Sequence, residues 1–169
     1  MILYHGTTYD IWKNICSKKV LQVASKANSP YANQGSKETE YGYVYLVGNE
    51  IEAVEYASWA ASARTSGHHC APRLLVVIKV DVPSCELCED PVDSKRRPMT
   101  YGKGPYMRIK RDIKWNEIVS IAAFQYESFE ASCTEIDAWI GDKNLLNGLK
   151  WVKPTSAPVN WNGTAKYFR

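Results

Sequence analysis

A histidine, a glycine and a hydroxyl residue stand in a row at Tyr4-His5-Gly6-Thr7. The imidazole can donate and accept hydrogen bonds, and the bare glycine lets a flat ligand come close to the backbone. A second group, Gly42-Tyr43-Val44-Tyr45-Leu46, lies about forty residues on, and Tyr56 follows Tyr45 by eleven positions. Two phenol rings can wall a slot for a flat ligand through stacking. The same tyrosines also suit plain packing beneath a small sheet, and both readings stand at this point.

The elements that must carry these residues are short. Ile2 to His5 reads as a strand, so His5 sits at a strand end. Thr8 can cap a helix over about residues 9–19, with Ile11 and Ile15 on one face, and Val20-Leu21 closes it. Residues 24–41 are rich in Ser, Asn, Gly and Lys and read as a long loop. Tyr43 to Val47 is a second strand. Asn49 and Glu52 have capping-box spacing for a helix that runs to about Ala63, and its alanines at 53, 57, 60 and 61 allow close packing on a sheet. Leu74 to Val82 is a near-continuous β-branched run, which predicts a strand buried on both faces. Pro83 ends it, and residues 84–104 read as an irregular excursion. Strands are predicted at Tyr106–Ile113 and Ile118–Tyr126. Ser132 and Glu135 suggest a further helix to about Ile140, and Leu145 to Leu149 a short helical turn. The order of elements predicts an α+β domain of two small packed, antiparallel-rich sheets with flanking helices.

Set side by side, the two motifs resemble the ADP-ribosyltransferase superfamily, on its diphtheria-toxin and poly(ADP-ribose) polymerase side. That branch carries a His-Tyr-Glu signature. Its first strand ends in His-Gly-Ser/Thr, as does His5-Gly6-Thr7. Its second ends in a Gly-x-x-Tyr-hydrophobic pattern, as does Gly42 to Leu46, and a second tyrosine follows eleven positions later. The likeness covers roughly residues 1–60 by motif and 61–125 by strand order, and residues 127–169 match no pattern. It implies a single ADP-ribosyltransferase-like domain over 1–169 and NAD as substrate. It also implies that His5 meets the adenine-side ribose, that the backbone of Gly6 beside Thr7 meets the carboxamide, and that Tyr45 and Tyr56 sandwich the nicotinamide ring.

The signature's glutamate would hydrogen-bond the nicotinamide ribose and stabilise developing oxocarbenium charge. Glu117, in Trp115-Asn116-Glu117-Ile118-Val119, opens an apolar strand and is the favoured placement. If Tyr106–Ile113 is the catalytic strand instead, the position falls near Gly104, Pro105 or Tyr106, where no carboxylate stands. Glu127 is the third placement. The hydroxyl that many polymerases carry three positions before the second tyrosine is replaced by Ala53. The resemblance therefore implies a mono-ADP-ribosyltransferase of the toxin or effector kind that modifies a protein or nucleic acid. The alternatives are a non-catalytic binder of NAD, ADP-ribose or nucleic acid, or an RNA 2′-phosphotransferase-like enzyme.

Charge and cysteine usage bound the setting. The net charge is +3, yet Lys95 to Lys114 holds eight basic residues against Asp112 alone. Such a segment attracts phosphates and could engage the acceptor or a pyrophosphate, or could be a solvated basic face. The five cysteines are odd in number and scattered, which favours reduced thiols and a cytoplasmic setting. No apolar run approaches the length of a membrane span, and no secretory signal is visible. Cys85-x-x-Cys88 with His68, His69 and Cys70 has zinc-ligand types. The extended strand between the two groups holds them apart, and Cys16 reads as core.

Overall fold

The computed structural model describes residues 1–28, 40–64, 73–92, 105–126 and 151–154. The chain begins with strand β1 (Ile2–Thr8), helix α1 (Tyr9–Lys18) and strand β2 (Val20–Leu21). Strand β3 (Val44–Val47), helix α2 (Glu50–Arg64) and strand β4 (Arg73–Asp81) follow. A 3-10 turn, Ser84–Glu86, leads into β5 (Leu87–Glu89) and then β6 (Tyr106–Ile109) and β7 (Ile113–Lys114). A second such turn, Trp115–Glu117, leads into β8 (Ile118–Tyr126). The fold is α+β: one six-stranded antiparallel sheet, ordered β5-β6-β3-β1-β4-β8, and a two-stranded sheet of β2 with β7. The expected two sheets are present, but most strands belong to one of them. No helix among the described residues is long and apolar enough to cross a membrane.

The core explains the strand sequences. Strand β4 lies between β1 and β8, and Leu75, Val76, Val77, Ile78 and Val80 are all fully buried. Val76, Ile78 and Val80 pack on one face with Leu3, Trp12, Ile15 and Cys16, while Leu75 and Val77 pack on the other with Ala53, Val54 and Ala57. Helices thus cover both faces, which is why the run is β-branched without alternation. Cys16 lies in this core.

Helix α1 ends where Lys19 takes a left-handed conformation at φ 57°. Thr8 is its N-cap by position, but its side chain makes no capping bond, and Oγ1 is buried without a hydrogen-bond partner. The capping expected from Thr8 is therefore positional only. Asn49 does cap α2: its Oδ1 accepts the Glu52 amide at 2.9 Å. The small residues of that helix press against β1. A Cβ added at Gly6 would fall 1.7 Å from the Ala53 carbonyl oxygen and 2.7 Å from the Ala57 nitrogen.

Three readings are revised. Residues 84–104, expected to be irregular, begin with the Ser84–Glu86 turn and strand β5, which pairs with β6. Val20-Leu21 is a strand paired with Ile113-Lys114 rather than the close of α1. The run expected as one strand from Tyr106 to Ile113 is broken after Ile109, because Lys110 to Asp112 turn before β7. The helices expected at Ser132–Ile140 and Leu145–Leu149, together with Glu127, lie outside the described residues.

Candidate active site: the opening between the first and third strands

The six-stranded sheet narrows at one place. β1 pairs with β4 through all seven of its residues, but its register with β3 consists of Tyr4 opposite Val47. Beyond that pair the two strands part, starting at His5. Two three-stranded halves meet here, and one apolar cluster draws on both: Leu3, Val76 and Ile78 from one half, Val44, Leu46 and Ile109 from the other.

The His5 ring bridges the opening. Its Nδ1 lies 2.9 Å from the Tyr45 carbonyl oxygen. A carbonyl only accepts, so Nδ1 carries the proton and donates, leaving the lone pair on Nε2. The half-buried position pushes the imidazole below its ordinary value of 6.5, against the opposite effect of the Tyr45 bond. At neutral pH the ring is therefore uncharged, with Nε2 ready to accept a hydrogen bond from a hydroxyl.

Period-two alternation sorts the remaining residues. Leu3, His5 and Thr7 share the face of the larger cluster, and Thr7 is buried there opposite Val76. Tyr45 alternates with Val44 and Leu46 and shares the α2 face with Val47. Tyr56, on α2, packs against the cluster of Val47, Ala53, Val54 and Ala57. Tyr45 and Tyr56 therefore belong to the same side of the sheet. The His5 side chain leaves the sheet on the opposite face from Tyr45 and Tyr56, and it reaches Tyr45 through its backbone and not through its ring.

The Tyr45 side chain is held at its tip. Its hydroxyl donates to the Glu40 carbonyl at 2.9 Å, and burial pushes its pKa up. Directly across the β3–β6 ladder stands Arg108. Its Nη1 donates to Glu40 Oε2 at 2.6 Å, and its guanidinium carbon lies 4.2 Å from the Tyr43 ring centroid. Nearby, the Tyr106 hydroxyl donates to the fully buried Glu52 at 2.8 Å. The sequence shows Arg108 only as one charge in a basic run. Its pairing with Glu40 and its place opposite Tyr45 depend on a register between distant strands, and the sole local hint is the alternation of β6.

Glu117 is placed elsewhere. It ends the 3-10 turn before β8, and β4 and β1 separate β8 from β3 in the sheet. Its two oxygens accept from Arg111 Nη2 at 2.6 Å and Nη1 at 2.8 Å, and Oε2 also accepts the Lys114 amide at 2.8 Å. The bonds from Arg111 hold its pKa below the ordinary 4.5. Arg111 also pairs with Glu86, so this carboxylate belongs to a latch between turns. The structure joins His5 to Tyr45 but does not bring Glu117 to them by any bond. β6, which does lie beside Tyr45, begins at Tyr106 and carries no carboxylate within its span.

The basic run is also less free than its composition suggests. Of its described members, Arg108 is paired with Glu40 and Arg111 with Glu86 and Glu117. Lys95, Arg96, Arg97 and Lys103 lie outside the described residues, as do His68, His69 and Cys70. Cys85 and Cys88 are exposed free thiols, and no metal-ligating cluster is gathered among the described residues. No protein-family model, no curated protein and no solved structure matches the chain.

Proposed function

We propose that the chain is an NAD-dependent mono-ADP-ribosyltransferase whose substrate enters between β1 and β3. One observation carries this reading: the strands part at His5, and the imidazole is held there by the Tyr45 carbonyl. The neutral Nε2 is suited to accept a ribose hydroxyl. The backbone of Gly6, next to the open edge, is suited to meet the carboxamide of nicotinamide, with Thr7 beside it. Tyr45 and Tyr56, on one side of the sheet, supply the ring faces. In the reaction the C–N glycosidic bond of NAD breaks and nicotinamide leaves with the electron pair. A nucleophile on a protein or nucleic acid then bonds to the ribose carbon and releases its proton to solvent.

A second reading has its own support. Glu117 is committed to Arg111 and Lys114, which favours a domain that binds NAD or ADP-ribose without turning it over. Incubation with NAD labelled on the adenosine side separates the two. Free nicotinamide with label on a protein or nucleic acid supports transfer, while retained binding without nicotinamide release supports the binder. Absence of NAD binding at millimolar concentration overturns both. Within the transferase reading, Glu117→Gln decides that carboxylate's role: turnover lost with NAD affinity kept assigns it to the oxocarbenium, and turnover retained removes it.

A further inference from the structure

We propose that Arg108 is a positioning residue for the Tyr45 ring and acts through Glu40. The inference rests on the reading of Tyr45 as a wall of the nicotinamide slot. Tyr45 and Arg108 are directly opposite in the β3–β6 register, so their side chains leave the sheet on the same face. The guanidinium also acts on the Tyr45 hydroxyl directly, by a side-chain hydrogen bond and by its charge. Glu40 stands between them, its carbonyl accepting from the Tyr45 hydroxyl at 2.9 Å and its carboxylate from Arg108 at 2.6 Å.

The chain that follows Glu40 is fastened to Ala24. Ala24 donates its amide to the Tyr43 carbonyl at 2.7 Å and accepts the Gly42 amide at 2.9 Å. Those bonds fix where residues 42–43 enter the sheet, but not how Glu40 turns. The ion pair does that. Arg108 is the more buried anchor, its side chain 15% exposed, and Glu40 the exposed partner at 60%. The guanidinium is itself oriented by lying over the Tyr43 ring at 4.2 Å. Stacking and a directed hydrogen bond at once suit a planar guanidinium and not an ammonium. With Glu40 released, the Tyr45 hydroxyl loses its acceptor, and the ring no longer presents one fixed face to a stacking partner.

The test uses Arg108→Met, Arg108→Lys, Glu40→Gln and the charge-swapped double variant Arg108→Glu/Glu40→Arg. NAD affinity is measured by calorimetry, and the Tyr45 hydroxyl is titrated by NMR on ring-labelled protein, its signal assigned with Tyr45→Phe. Arg108→Met is expected to weaken NAD binding about tenfold, Arg108→Lys nearly as much, and Glu40→Gln less. The swap is expected to recover part of the loss.

The titration has a decisive sign. If Arg108 positions Tyr45, its removal frees the hydroxyl into water and the raised pKa falls towards 10.0. If Arg108 is merely a nearby cation, its removal takes away a charge that favours the phenolate, and the pKa rises further or stays. A rise, no change, or NAD affinity within about twofold of the parent overturns the proposal. If the parent chain binds no NAD, the slot reading fails and the titration alone decides the positioning role. If Arg108→Met does not fold, Arg108→Lys carries both measurements.

Discussion

At the scale of single residues, Gly6 and His5 each answer to more than one demand. Gly6 stands beside the candidate carboxamide site, but α2 already requires it to be glycine: a side-chain carbon there would sit inside the Ala53 carbonyl. Gly6→Ala is therefore expected to destabilise the fold by about 1–3 kcal/mol or more through overpacking, read as a lowered denaturant midpoint. An unchanged midpoint would mean that α2 can step away from β1. His5 gives a pH signature. Its native pKa lies below 6.5 because burial disfavours the charged ring. The unfolded chain binds the proton first, so the full stability of the neutral ring is present above 6.5. It is lost as pH falls from there through the lower native value. Denaturant midpoints between about pH 5 and 8 should decline on the acid side in the parent and less so in His5→Gln. Under the proposed function, NAD affinity should fall over the same window, since a protonated Nε2 donates and no longer accepts.

At the scale of elements, the turns around Glu117 test whether that carboxylate is structural. Arg111 ties the turn before β5 to the turn before β8, by an exposed Glu86 and a mostly buried Glu117. Glu117→Gln keeps the shape and removes the charge, so a loss of about 1–3 kcal/mol is expected from charge-assisted bonds of this kind. The carboxyl's native pKa is below 4.5, so its contribution is present above that value and disappears as pH falls through the native one. The Gln variant should lack that acid arm, and identical acid unfolding in both proteins would reject the latch. These elements also mark what a sequence can reveal. β8 was legible from Ile118 to Tyr126 because its apolar run is local, and α2 was legible because Asn49 and its alanines are local. β2, β5 and the break between β6 and β7 were not, because two- and three-residue strands exist only through partners far along the chain. The candidate site divides in the same way. His5, Gly6 and Tyr45 stood out by type and spacing, whereas the engagement of Glu117 by Arg111 and of Glu40 by Arg108 needed the fold.

At the scale of the whole molecule, the joint between the two halves of the large sheet is the feature with most consequence. Seven register pairs bind β1 to β4 and eight bind β4 to β8, but one pair, Tyr4 with Val47, binds β1 to β3. Backbone groups past that pair lack the cooperative ladder that protects a central strand, although the core cluster still holds the halves together. Amide hydrogen exchange should therefore be slowest at Leu75 to Ile78, where both neighbours are paired and both faces covered. It should be faster along β3 than along β4. A ligand seated between β1 and β3 would supply the missing partners, so saturating NAD should slow exchange at Gly6 to Thr8 and Val44 to Val47. Exchange within β8 should not change, because that strand lies two positions beyond β1. Protection appearing in β8 or β5 instead would move the binding site away from this opening and take the roles of His5 and Tyr45 with it. Uniform slowing across all strands would indicate general stabilisation by mass action, and would leave the opening without the specific occupancy that the proposed chemistry requires.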